Sequence, residues 1–455
     1  MAGLDLVVVG GGSAGLVGAQ TAARLDARVA LVEAERTGGE CLYTGCVPSK
    51  ALIGAARDGL GFEAAMARVK AAVAAIEPHD SPEALEAAGV HVLHGRAVLD
   101  PDGTIRLDGQ RLPSRSVLLA TGASPAVPPL AGLEPGGALT NETVWSLPGL
   151  PERLAVVGGG PVGCELAQAF ARLGAQVTVV ASAPRLLPRE DPEASALVRA
   201  ALEADGVRVI TGDAAMAAAR RGEGWMLLTG HGARVPFTHL LAATGKVPRT
   251  AGIGVAEADV RLDGAGRVVT DASLRTTNPR VWAAGDVTAR SRHTHTAGVH
   301  AAIAAANAVL GTRRKATSIG EPRVTFTSPE VAAVGRRTTP GTARTVTAPH
   351  TRVDRAVADA DPVGFTRIAL DRAGRITGGT IVGPRAGETL GELSLAVHAR
   401  LKAQDLAAAV HAYPTHSDGL WSAAIRARLA ALDAPAPQAA ARLLLALRRA
   451  AARPR

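Results

Sequence analysis

The feature that most constrains this chain is a unit of strand, glycine turn, helix and strand that occurs twice. Residues 4–33, LDLVVVGGGSAGLVGAQTAARLDARVALVE, carry Gly10, Gly12 and Gly15 between an apolar run and a helical pattern. Residues 152–181, ERLAVVGGGPVGCELAQAFARLGAQVTVVA, carry Gly158, Gly160 and Gly163, each offset by 148 from its counterpart. Gln168, Arg172, Leu173, Val177 and Val180 keep that offset from Gln20, Arg24, Leu25, Val29 and Val32, which marks an internal duplication. In such a unit the first glycine permits the tight turn, the second lets a pyrophosphate approach the backbone, and the third lets helix and strand pack closely. Ser13 lies in the first of these turns. Glu33 ends the second strand, 23 residues after Gly10, where a carboxylate can accept hydrogen bonds from an adenosine ribose. Two dinucleotide sites on an α/β scaffold are expected.

The two copies differ where it matters for the cofactor. The offset carries Glu33 onto Ala181, so the second site lacks the acid that would grip a free 2′-hydroxyl and repel a 2′-phosphate. Ser182, Arg185 and Arg189 follow, and a nearby arginine accommodates a 2′-phosphate, which favours NADPH over NADH while leaving NADH possible. A second echo pairs Ala120-Thr121-Gly122 with Ala243-Thr244-Gly245, each followed three residues later by a proline, Pro125 or Pro248. Residues 281–286, VWAAGD, form an apolar strand ending in Gly285-Asp286, before a His-rich loop and an Ala-rich helix.

Two of the three cysteines fall in residues 38–50, GGECLYTGCVPSK. Three cysteines make no disulfide scaffold, so a bond between Cys41 and Cys46 would be a working one in a reducing cytoplasm. The stretch reads as a short loop opening a helix. Pro48 suits a first helical turn, and the positive helix end lowers the pKa of a nearby thiol. Lys50 lies four residues after Cys46 and shares its helix face. Cys164, inside the second repeat, reads as a packed core residue.

At 46.2 kDa and 47% hydrophobic, the chain can bury cores for several domains. The expected division is residues 1–148 and 266–318 for the first nucleotide domain, 149–265 for the second, and 319–433 for an α+β domain. A basic tail occupies 434–455. The net charge of +9 raises nucleic-acid binding, but five arginines and no acids lie in that tail, so a solvated tail explains most of the excess. Its leucines at 443–445 and 447 also suit a short amphipathic helix for a partner or a membrane surface. No apolar run reaches roughly 18 residues, and the start has no basic flank before its apolar run, so neither a spanning helix nor secretion is expected. His293, His295 and His300 have spacings that make no convincing metal site.

Two glycine-rich repeats, the C-x-x-x-x-C-V-P-S-K segment, the Ala-Thr-Gly strands and the Gly-Asp together resemble the FAD-dependent pyridine nucleotide-disulfide oxidoreductases. The likeness spans about residues 4–425, and locally the closest look is to mercuric reductase and dihydrolipoamide dehydrogenase members. It implies FAD on Gly10, Gly12, Ser13 and Gly15 with Glu33 at the ribose; Gly39, Lys50, Thr121 and Gly122 near the flavin; Gly285-Asp286 toward the ribitol; and Gly245 among the cofactor-binding residues. It implies NAD(P)H on Gly158, Gly160 and Gly163, with Glu165 pairing Lys50. Cys46 would face the flavin and Cys41 the acceptor, with the Cys41 thiolate as the exchanging nucleophile. A homodimer is implied, because the family's remaining active-site element reaches the disulfide across a subunit interface.

That element is usually His-Pro followed by an acid, and here it reads Tyr413-Pro414-Thr415-His416-Ser417-Asp418. An unperturbed tyrosine titrates near 10 and a histidine near neutrality, so the substitution weakens proton transfer to an ordinary disulfide. His411 and His416 are possible substitutes, or surface residues. Mercuric reductase-like members also carry tyrosine here, but no cysteine follows Cys164 in this sequence to match their carboxy-terminal pair, and their amino-terminal metal-binding domain is not expected here. The expected acceptor is a small molecule or metal ion: mercuric ion, a low-molecular-weight disulfide or a quinone reduced directly by flavin. A flavoprotein redox sensor without turnover is the alternative from another class.

Overall fold

A computed structural model describes residues 3–222, 224–290, 293–316, 320–336 and 344–451. The chain forms two compact units, Met1–Leu186 with Leu202–Ser318, and Leu187–Ala201 with Ile319–Arg455. The segment 187–201, which falls inside the expected 149–265 domain, groups with the second unit.

The first unit holds both repeats. Five parallel strands run in the order Val281–Ala283, Ser114–Leu119, Leu4–Val9, Val29–Glu33 and Val90–His94, with Leu6 beside Val29 and Val7 beside Val117. These strands read as nearly continuous apolar runs because a parallel sheet is covered on both faces. Leu6, Val7, Val8, Leu31 and Leu118 are fully buried, each large side chain contributing about 2 kcal/mol. On one face, Ala19 and Ala22 of the helix Ser13–Arg24 share a core with Ala301, Ala304 and Ala305 of the helix Thr294–Leu310. Small side chains let two helices lie close together over the sheet.

The second repeat builds a four-stranded parallel sheet, ordered Arg208–Thr211, Gln176–Ala181, Arg153–Val157 and His239–Ala242. Its helix, Pro161–Arg172, buries Cys164 completely, as a core residue. The Ala-Thr-Gly echo also has a structural counterpart. The strands Ala123–Pro125 and Lys246–Pro248 that follow the two motifs pair antiparallel with each other, joining segments far apart in the chain.

The second unit is α+β. Five antiparallel strands run in the order Arg323–Thr325, Glu330–Gly335, Ile376–Gly383, Phe365–Leu370 and Arg344–Pro349. Ile368 and Ile381 pack with Leu390 and Leu393 of the helix Ala386–His398 and with Leu420 of the helix Asp418–Leu432. Arg367 crosses to Asp191 at 2.7 Å and Glu193 at 2.5 Å. The tail forms the helix Pro435–Ala451, which buries no residue, and 452–455 lie outside the described residues.

Candidate functional site

The glycine turns have the geometry that a dinucleotide demands. Gly10 has φ +103°, and a Cβ there would sit 2.5 Å from the Ala120 carbonyl oxygen. A Cβ on Gly15 would lie 1.7 Å from the Gly10 carbonyl oxygen, so only glycine lets this helix start against this strand. The second copy repeats both contacts, at 2.3 Å for Gly158 and 2.0 Å for Gly163. Gly12 and Gly160 cap their helices with no side-chain hydrogen bond and no acid in the first turn, leaving amide donors and a positive helix end for a phosphate. These two cradles fit FAD and a nicotinamide dinucleotide.

Glu33 accepts hydrogen bonds from the amides of Gly11 at 2.5 Å and Glu35 at 2.7 Å, one on each oxygen. Each oxygen keeps a second lone pair for a ribose hydroxyl. Beside it a cavity of 520 Å³ is walled by Glu33, Thr37, Tyr43, Glu77, Leu93 and His94, large enough for an adenosine. Thr121 donates to the Arg249 carbonyl at 2.8 Å, while Gly122 and Gly245 take φ of +71° and +134°.

The cysteine segment departs from a plain loop. Gly39–Tyr43 forms a short helical turn holding Cys41, and Cys46 opens the helix Cys46–Arg57 with Pro48 in its first turn. Gly38 and Gly39 have φ of +101° and +57°, and a Cβ on Gly39 would come within 2.6 Å of the Gly12 Cα. Glycine here seats the cysteine turn directly on the first glycine cradle.

Cys41 and Cys46 stand as thiols, Cys41 half-buried and Cys46 exposed. Cys46 is lowered to about 6, first by a hydrogen bond with Cys41, then by the Thr294 hydroxyl and the Lys50 charge, against burial and Glu40. Cys41 is raised, because donating to Cys46 and losing solvent both favour its neutral form. These neighbours favour a thiolate on Cys46 and the proton on Cys41, the sulfur expected to exchange with the acceptor. Thr294 Oγ1 lies 3.4 Å from Cys46 Sγ at the start of the helix Thr294–Leu310. Two helix N-termini and an ammonium thus converge on one sulfur. Lys50 Nζ lies 2.9 Å from Glu165 Oε2, which keeps the expected pair.

Asp286 accepts from Lys246 Nζ at 3.2 Å. Lys246, Glu40 and Thr294 have no place among the residues expected from sequence. A charged residue directly before Cys41 and a lysine directly after Gly245 were the available signals for the first two, whereas nothing marked Thr294.

Tyr413, His416 and Asp418 lie in the second unit. Tyr413 is two-thirds exposed and donates to Asp354 Oδ2 at 2.5 Å, which raises its pKa further above 10. His416 Nε2 pairs with Asp359 at 3.1 Å and His411 Nε2 with Glu392 at 2.6 Å; both side chains are about one-tenth exposed, so neither is a surface residue. Asp418 is buried and accepts from the Thr415 amide and hydroxyl, holding the turn that precedes its own helix. His293 and His295 stack ring on ring at 5.4 Å, and His300 is buried.

Comparison with known proteins agrees with this geometry. Residues 4–306 match the pyridine nucleotide-disulphide oxidoreductase family and residues 321–424 match its dimerisation domain. The chain is 35% identical to a mercuric reductase of Streptomyces lividans, covering 93% of this chain and 96% of that protein. It is 32% identical to a dihydrolipoyl dehydrogenase of Thermus scotoductus, covering 92% and 96%. Among solved structures, LpdA of Mycobacterium tuberculosis superposes with a TM-score of 0.85 at 30% identity, covering 93% of this chain and 99% of that one. The Cu(II) complex of the HOCl-induced flavoprotein disulfide reductase RclA of Escherichia coli gives 0.86 at 26% identity, covering 94% and 100%. No helix among the described residues is long and apolar enough to cross a membrane. The chain belongs to the pyridine nucleotide-disulphide oxidoreductases, FAD-dependent enzymes with pyridine nucleotide substrates.

Proposed function

We propose that the protein is a homodimeric oxidoreductase that moves electrons from NADPH to the Cys41–Cys46 pair and on to a small acceptor. The observation that carries this reading is the environment of Cys46: a hydrogen bond with Cys41, the Thr294 hydroxyl and the Lys50 ammonium all favour a thiolate. Bound FAD supplies hydride acceptance from nicotinamide and two-electron delivery to the disulfide. Opening that disulfide with two electrons and one proton leaves a thiol on Cys41 and a thiolate on Cys46, the protonation state these neighbours favour. Lys50 and Glu165 stabilise charge beside the pair without moving a proton.

NADPH is the proposed donor because Ala181 replaces the acid of the first repeat and Arg185 stands half-buried just beyond the strand end. For the acceptor, mercuric ion comes first. A 35% identical relative bears the name mercuric reductase, and Tyr413, tied to Asp354, is ill suited to shuttle the proton a disulfide substrate requires.

The test follows NADPH and NADH oxidation anaerobically with mercuric ion, a low-molecular-weight disulfide and a quinone. Mercuric ion is expected to be turned over, NADPH to give the higher kcat/KM, and Cys41→Ser to abolish acceptor reduction while flavin reduction by NADPH persists. Full activity of Cys41→Ser with a quinone would exclude the dithiol route in favour of direct flavin transfer.

A further inference from the structure

Glu40, Lys246 and Asp286, the last expected at the FAD ribitol, form a chain of ion pairs that begins one residue from Cys41. Glu40 immediately precedes Cys41 in the turn Gly39–Tyr43. Its Oε2 accepts from Lys246 Nζ at 2.6 Å, and its Oε1 accepts from Asn141 Nδ2 at 3.0 Å. Lys246 continues to Asp286 Oδ2 at 3.2 Å. The lysine follows the second Ala-Thr-Gly motif in the strand Lys246–Pro248, 206 residues from Glu40 and 40 from Asp286. Burial works against the ammonium, but the charges of Glu40 and Asp286 outweigh it, so its pKa is raised.

The charge balance around the thiols gives this bridge a consequence. Glu40 opposes a thiolate on Cys46, whereas Lys50 favours one. Lys50 is itself engaged by Glu165 at 2.9 Å, and the nearby Glu142 is engaged by Arg249 at 2.9 Å. Among the described residues, Lys246 is the cation that pairs with both Glu40 and Asp286. Without it, Glu40, at 28% exposure and one residue from Cys41, would lose its ion-pair partner, and so would Asp286 at 16%.

We propose that Lys246 is a positioning residue that ties the Cys41-bearing turn to Asp286 and cancels the charge of Glu40 beside the redox pair. The inference rests on Cys41 and Cys46 being that pair, but its test reads the thiols rather than turnover. Reduced holoenzyme is treated with iodoacetamide across the pH range, and alkylation of Cys46 is quantified by peptide mass. Wild type should show a midpoint near 6. Lys246→Met should raise the midpoint by about one pH unit. Lys246→Arg should hold it at the wild-type value, and Glu40→Gln should lower it. The double variant Lys246→Met/Glu40→Gln should return most of the way to wild type.

An unmoved midpoint in Lys246→Met, or a double variant shifted as far as the single one, would overturn the proposal. Should Lys246→Met not fold with FAD, Glu40→Gln decides alone, and an unmoved midpoint there overturns it equally. Full turnover by Cys41→Ser would sink the proposed reaction while leaving these alkylation shifts intact, so the two failures are distinguishable.

Discussion

Cys46 is inclined to a thiolate by its neighbours, not its type. An ordinary thiol titrates near 8.5, and here a donor thiol, a hydroxyl and an ammonium lower it to about 6. Tyr413, which stands where the sequence led us to expect a proton-transferring histidine, has the opposite character. Tyr413 is held by Asp354 and titrates above its ordinary value, so near neutral pH it remains a neutral phenol. Tyr413→His is therefore expected to raise turnover with a low-molecular-weight disulfide by about 100-fold and to change mercuric ion turnover little. Steady-state rates with both acceptors check this, and equal gains on both would show that position 413 acts through something other than proton transfer. The cysteines, Lys50 and Glu165 were legible in the sequence because each lies in a short motif. Thr294 and Lys246 were not, because they reach the site from segments about 250 and 200 residues away in the chain.

At the scale of elements, the strand–turn–helix repeat is the working part, and its tolerance is set by backbone atoms. A methyl group at position 15 would lie 1.7 Å from a carbonyl oxygen, a clash relieved only by opening the first glycine turn. Gly15→Ala is expected to reduce the FAD content of the purified protein at least tenfold. Gly163→Ala, with its 2.0 Å clash in the second copy, should retain FAD and raise the KM for NADPH by a similar factor. Gly149→Ala is the control, since nothing lies within 4 Å of its Cβ position. The ratio of flavin to protein absorbance and NADPH kinetics measure the three variants. Loss of FAD from Gly163→Ala would contradict the assignment of one cofactor to each repeat. The helical turn around Cys41 read as a loop in the sequence because it spans five residues, too few for a periodic pattern.

At the scale of the whole molecule, the second unit carries a pH liability of its own. His350 is buried with Nε2 at 2.9 Å from Thr366 Oγ1, and burial first, then the nearby His416, lowers its pKa from 6.5 to about 4. The unfolded ring takes up a proton near 6.5 and the folded ring only near 4, so the unfolded state binds more protons in that window. Stability falls as pH drops through it, by about 2 kcal/mol between pH 7 and 5. Urea unfolding at the two pH values should show that loss in wild type and its absence in His350→Gln; the same loss in both would remove His350 as the cause. The sequence by itself determined the duplicated α/β scaffold, the two cofactor cradles and the redox pair, because these depend on local patterns that admit few alternatives. Only the tertiary structure decided which groups surround each thiol, which cation pairs with Glu40 and how Tyr413 is tied. Those depend on through-space electrostatics between residues that the chain order keeps apart.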